Sequence, residues 1–287
     1  IKPSDKQRVL EISANIWEGD DYIAQVFDEW VEDKGVFAGL WENGILVGFG
    51  KLTWLTPRDV WLEGLRKDEK TGARQVGEKL SEYYFNYLKG RKVDSIRFST
   101  YFGNLASIKL NQKFGFEKIL TLSLKSRSIE PAIKLNKRNY SKYELEDVKR
   151  YIENSSYLIG TKGFIGKGWV VHKFNDKLLQ EFHRDDKILV KTESGNIKGC
   201  VIWSVEHYRN IIWISFLEAE TEAILTEFID RINVLGSNSN KAVMQILVPD
   251  GELLDFCRKA GFTSWEQEHD FLLYELPEIL ISKITES

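Results

Sequence analysis

The sequence predicts an α/β (α+β) fold in two consecutive domains. Segments of helical and of strand periodicity alternate along the chain. At 287 residues there is room for two domains of ordinary size, each with its own core. Two short pieces of the first half also recur in the second, in the same order. Asn43-Gly44-Ile45-Leu46-Val47-Gly48 is echoed by Ser194-Gly195-Asn196-Ile197-Lys198-Gly199, at an offset of 151 residues. Lys113-Phe114-Gly115-Phe116 is echoed by Lys259-Ala260-Gly261-Phe262, at an offset of 146. Chance explains either echo alone; a structural repeat explains both.

Residues 3–17 read as a first helix, with apolar Val9, Leu10, Ile12, Ala14 and Ile16, and with Ser4 as N-cap. After a break at Gly19, a second helix carries Tyr22, Ile23, Val26, Phe27 and Trp30 at helical spacing. That stripe reads as core, with Asp20 or Asp21 capping the helix. Residues 35–41 and 45–52 form a hairpin about Asn43-Gly44, a dipeptide suited to a tight turn. A strand at 59–66, a loop at 67–77 and an amphipathic helix follow. The helix places Val76, Leu80, Tyr83, Tyr84, Tyr87 and Leu88 on one face. A strand at 95–100, a helical segment within 104–116 and a closing strand at 119–124 complete a first domain, expected to span 1–128. Residues 126–137, charged and holding Pro131, are the expected linker into a second domain at 129–287.

Composition narrows the function classes. With 43% hydrophobic and 29% charged residues, the chain has the make-up of a globular protein. Its net charge of −3 argues against a broad nucleic-acid or anionic-membrane surface, and the basic run at 134–138 reads as a solvated linker. No apolar run reaches the roughly 18 residues that span a bilayer, and no signal peptide is read at the start. Two cysteines, Cys200 and Cys257, predict free thiols and a reducing, cytoplasmic setting. Both cysteines and all four histidines (His172, His183, His207 and His269) lie in the second half. A site built within 1–128 therefore has no cysteine nucleophile, no histidine base and no Cys/His zinc site. Its general base must be Glu, Asp, Tyr or a water relay, and no metal is expected.

The stretch that carries chemistry is 58–116. A strand that passes through a glycine-bearing loop into a helix N-terminus makes an anion site, because the opening amides lack partners and the helix dipole is positive there. Gly72 and Gly77 bracket the loop, Ala73 is small, and Lys70 and Arg74 add positive charge beside Asp68 and Glu69. A diphosphate-bearing ligand fits such a loop; plain turn chemistry is the competing account.

The segment after it resembles motif B of the GNAT acetyltransferases, with Asn104, Ser107, Leu110, Lys113, Gly115 and Phe116 in register. Leu65 at the strand end and Gly72-Ala73-Arg74-Gln75-Val76-Gly77 in the loop resemble motif A. Three positions depart from the family pattern. Gly72 stands where the family has Arg or Gln, Gln75 replaces the first motif glycine, and Asn111 replaces the usual tyrosine. The run at 16–22 is also similar to one in histidine N-acetyltransferase-like members. The resemblance implies two GNAT-like domains, each a mixed, mostly antiparallel central sheet flanked by helices. It also implies acetyl-CoA as co-substrate, and a primary amine of a small molecule or amino acid as acceptor, attacked directly.

Roles follow residue by residue. Glu63, an acid inside an apolar strand, is the candidate base and contacts the acceptor; the competing account is a solvent-facing carboxylate or a pair with Arg66 or Arg97. Gly64 is the expected bulge or splay through which a pantetheine arm approaches. The backbone N–H groups of Leu65, Arg66 and Lys67 are the expected donors to the thioester oxygen. Gly72, Ala73, Arg74, Gln75, Val76 and Gly77 would hold the diphosphate, and Asn104 and Ser107 the pantetheine arm. Asn111 can donate a hydrogen bond but cannot give up a proton as a tyrosine could, so Tyr101 is the alternative acid. Asp21 and Tyr22 lie where relatives cover the acceptor.

The second copy reads as degenerate. Ser215–Glu222 has no glycine, and Glu218, Glu220 and Glu222 stand where a diphosphate would sit. The expected protein is a monomeric or homodimeric N-acetyltransferase. The rival from another class is a silent acyl-CoA-binding protein or an interaction scaffold.

Overall fold

A computed structural model describes residues 1–14, 16, 21–131, 140–205 and 210–286. Its contacts form two compact units. The front unit comprises 1–100, 104–119 and 273–287, and the rear unit 101–103 and 120–272. The sequence suggested one cut after residue 128, which would leave residues 273–287 with the rear half; they group with the front.

In the front unit a single 3₁₀ turn at Pro3–Asp5 precedes α1 (Lys6–Ser13), so Ser4 sits inside that turn and caps nothing. Helix α2 (Ile23–Glu32) starts after Tyr22 without a side-chain cap. Asp21 does not cap it, and Asp20 lies outside the described residues. Residues one helical turn apart on α2 (Ile23, Val26, Phe27 and Trp30) join Val9, Ile12, Phe37, Leu46 and Phe49 in one core. There Phe27, Trp30 and Phe49 stand edge-on around Phe37. Strands β1 (Val36–Glu42) and β2 (Ile45–Trp54) form the hairpin, with φ of 52° at Asn43 and 77° at Gly44, as a type I′ turn requires. β3 (Asp59–Lys67) runs antiparallel to β2, and α3 (Val76–Leu88) crosses over to β4 (Ser95–Tyr101), parallel to β3. Then come α4 (Leu105–Lys113) and β5 (Glu117–Ser128), the latter running past the expected start of the linker. Residues 132–139 of that linker lie outside the described residues.

The rear unit opens with α5 (Leu145–Glu153), α6 (Ser156–Gly160), the hairpin of β6 (Phe164–Lys167) and β7 (Val170–Lys173), and α7 (Asp176–Arg184). β8 (Ile188–Glu193), β9 (Asn196–Val205), β10 (Ile211–Ala219), α8 (Glu222–Asn238), β11 (Val243–Val248), α9 (Glu252–Lys259) and the short β12 (Thr263–Ser264) follow. Its sheet runs β5-β11-β10-β9-β8. The chain ends with β13 (Phe271–Glu275), which pairs with β4, and α10 (Glu278–Thr285), which packs on α3. The Gly90 N–H donates to the Thr285 carbonyl at 2.8 Å.

From β8 onward the rear unit repeats the front: hairpin, strand, crossover helix, parallel strand, helix. The echoes mark matching turns. Ser194 and Gly195 have φ of 49° and 81°. The N–H of Phe116 reaches back to Asn111 at 3.1 Å across left-handed Gly115, and that of Phe262 to Cys257 at 2.9 Å across left-handed Gly261. Both close their helix in the same glycine-dependent way. Each sheet is mixed and mostly antiparallel, with a parallel pair at β3–β4 and at β10–β11. Among the described residues, no helix is long and apolar enough to cross a membrane.

Candidate active site

β3 and β4 stay in register only from Asp59–Ser95 to Trp61–Arg97, although both strands run on. Beyond that point they part and leave an opening. A bulge in β3 accompanies the parting. Lys51 faces Glu63 and Phe49 faces Arg66, so β3 holds one more residue than β2 over this span. Gly64 takes φ of 63°, and a Cβ there would lie 2.3 Å from the Trp30 ring. Only glycine meets both demands. The Asp68 N–H donates to Val47 on β2 at 2.9 Å. Because strand amides alternate in direction, that of Arg66 faces β2 and that of Lys67 faces away from it.

Beyond β3 the loop is fastened by Asp68, which accepts from the Lys70 N–H at 2.9 Å and pairs with Arg8. A 3₁₀ turn at Glu69–Thr71 ends at left-handed Gly72; Ala73 is buried, while Lys70 and Arg74 are exposed. Helix α3 then begins from Gln75, at φ 57° and with no side-chain cap, so the amides of its first turn open outward. The strained backbone falls on the residue that replaces a motif glycine. Gly77 serves packing. A Cβ there would lie 2.6 Å from Leu110 and 3.2 Å from Leu65, so this glycine seats α3 against α4 and β3. Gly48 does the same beneath Val76.

Lys51, opposite Glu63 on β2, and Thr53 two residues along share the strand face that carries Glu63. Thr53 Oγ1 donates to Glu63 Oε1 at 2.6 Å. The Lys51 ammonium is fully buried; it donates to the Trp30 carbonyl at 3.1 Å and pairs with Asp33, just past α2. Burial pushes the Glu63 carboxyl up to about 7, against the pull of Thr53 and Lys51 and with the push of Asp33 and Glu29. The arginines weighed as its partners are engaged elsewhere: Arg66 with Asp21, and Arg97 with Glu275 and Asp59. Lys51, Thr53 and Asp33 were missed in the sequence. A lysine among the apolar residues 45–52 was the available signal, but it meant nothing until the hairpin register set it opposite Glu63.

Asp21 is buried, and both its oxygens accept from Arg66, at 2.8 Å from Nε and 2.9 Å from Nη2. It therefore holds this arginine. The Tyr22 ring lies 5.7 Å from the guanidinium carbon and edge-on to Trp30. Asn104 caps α4, accepting from the Ser107 N–H at 3.2 Å. The Asn111 amide donates to the Ser107 carbonyl at 2.9 Å within the same helix, so that group is spent locally. Tyr101 belongs to the rear unit, its ring 5.5 Å from that of Trp265. Among the described residues, no cluster of His, Cys, Asp or Glu is arranged to hold a metal ion.

The rear unit carries the same backbone device with its chemistry removed. β10 and β11 pair from Ile211–Val243 to Ile214–Ile246, and β10 bulges at Ser215. The pairs flanking that bulge are Ile214–Trp203 and Phe216–Ile202, with no carboxylate or lysine among them. Buried Tyr157, from α6, bridges β10 and β11, its hydroxyl 3.1 Å from the Ser215 carbonyl and 3.0 Å from that of Leu247. Thr221 caps α8 through the Ile224 N–H at 3.3 Å.

Residues 7–116 match the family model described as the acetyltransferase (GNAT) family. No curated protein matches the sequence. Among solved structures, a GCN5-related N-acetyltransferase from Sphaerobacter thermophilus is similar over 96% of this chain and 93% of its own, at 11% identity and TM-score 0.62. A candidate acetyltransferase from Thermoplasma acidophilum is similar over 96% of both chains, at 17% identity and TM-score 0.61. At such identities the likeness speaks for the fold.

Proposed function

Because residues 7–116 belong to the acetyltransferase (GNAT) family, we propose that the front unit moves the acetyl group of acetyl-CoA directly to a primary amine of a small molecule or amino acid. The rear unit is its silent copy. The opening between β3 and β4, with Glu63 beside the bulge, carries this reading. The diphosphate rests on the first-turn amides of α3, with Lys70 and Arg74 alongside. The pantetheine arm enters the opening, and the thioester oxygen accepts from a backbone amide of Leu65 or Lys67. Asn104 and Ser107 lie on the far side of that arm.

At pH 7 a free alkylamine is mostly protonated. A carboxyl with a midpoint near 7 is half ionised there and can take the ammonium proton. The amine nitrogen then attacks the thioester carbon and the C–S bond breaks; the attacking nitrogen gives up its second proton to solvent, and the departing thiolate takes one from solvent. Asp21, Tyr22 and Arg66 form a wall beside this site and shape the acceptor's space.

Calorimetric titration with acetyl-CoA and with free CoA is the first test, followed by an amine panel read by thiol release. Binding of both, with amine-dependent release, is expected; no binding of either ends the proposal. Glu63→Gln should keep CoA binding and lower turnover by about 10²-fold or more. The local use of the Asn111 amide favours a second reading, a silent acyl-CoA binder. Thiol release that no amine accelerates would support it.

A further inference from the structure

We propose that Lys51 and Asp33 form a charge-cancelling pair that sets the pH range over which Glu63 accepts a proton, and so act as positioning residues for acyl transfer. This rests on Glu63 as the base. Lys51 and Glu63 are direct cross-strand neighbours, whose Cβ atoms in such pairs stand about 5 Å apart. A lone buried ammonium at that range would hold a carboxylate ionised to well below neutral pH. Asp33 stops this. Its carboxylate accepts from Lys51 Nζ, is fixed by the Gly35 N–H at 2.6 Å, and offsets the lysine's field. Thr53 holds Oε1 of Glu63 and leaves Oε2 for the proton. The other titratable groups facing Glu63 are Glu29 from α2 and Tyr84 from α3, while Arg66 on its own strand is held by Asp21.

The repeat within the chain gives independent support. At the bulge of the rear unit glutamate and lysine are absent together: the pairs on its two sides are Ile214–Trp203 and Phe216–Ile202. A lysine needed only to hold β2 to α2 has no reason to disappear with the glutamate.

The test compares the Glu63 side-chain carboxyl, followed by carbon-13 NMR titration and assigned with Glu63→Gln, against the acid limb of kcat/KM, in the full chain. Asp33→Asn should lower the carboxyl midpoint by about one pH unit, because the lysine is no longer offset. Lys51→Met should raise it by a similar amount, and Lys51→Arg should bring it back. If Lys51→Met does not fold, Asp33→Asn and Lys51→Arg decide the matter alone. An unmoved midpoint in Asp33→Asn overturns the linkage. Midpoints that move as stated while the acid limb stays in place would uphold the linkage and remove Glu63 from its role as base.

Discussion

At the scale of single residues, Glu63 is where burial and function meet. Its carboxyl keeps its proton to about pH 7 in the folded chain, whereas an unfolded glutamate releases it near pH 4.5. Between these values the folded state binds the proton more tightly, so this group's contribution to stability declines as pH rises from about 4.5 to about 7. Above that range the ionised, enclosed carboxylate leaves the fold weaker by about 2 kcal/mol, allowing for partial solvent screening. Glu63→Gln should remove this slope. Urea unfolding at pH 5 and pH 8 checks it: the variant's advantage should grow with pH, and a constant difference would mean the carboxyl titrates normally in the fold.

At the scale of elements, the bulge in β3 opens the sheet, and one glycine permits it. Gly64→Ala must force a left-handed backbone and drive a methyl into the Trp30 ring. About 3 kcal/mol of stability should be lost. Gly44, with a similar φ of 77° but no atom within 4 Å of an added Cβ, is the control and should lose only about 1 kcal/mol as Ala. Equal losses in urea unfolding would show that Trp30 yields and that the bulge tolerates a side chain. The same element logic separates the units' chemistry. The front helix α3 leaves its first turn without a side-chain cap, whereas Thr221 caps α8 and Tyr157 bridges the strands that part.

At the scale of the whole molecule, the chain's last residues complete its first unit. β13 pairs with β4, Tyr274 stacks on Phe98 at 5.0 Å, and a Cβ on Gly115 would meet Leu280 at 2.5 Å. Deleting residues 273–287 should therefore strip β4 of its partner and loosen α3. Hydrogen exchange should become fast in β4 and α3, while the core around Phe228, Ile229 and Ile214 stays protected. Unchanged protection in β4 would show that 1–128 is self-sufficient. The likeness to solved structures runs over nearly the full chain, and the internal echoes mark matching turns in its two units.

The sequence by itself determined the local structure and the motifs. The Asn43-Gly44 turn, the helical stripes of α2 and α3, the glycine-closed helix at Phe116 and the degenerate rear loop all depend on side chains close together in the chain. Tertiary structure alone decided who meets whom. Register set Lys51 opposite Glu63, Arg66 paired with Asp21, and Gly77 came against Leu110. Such choices arise from contacts between residues tens of positions apart, where burial and charge compete, and no local pattern records which partner wins.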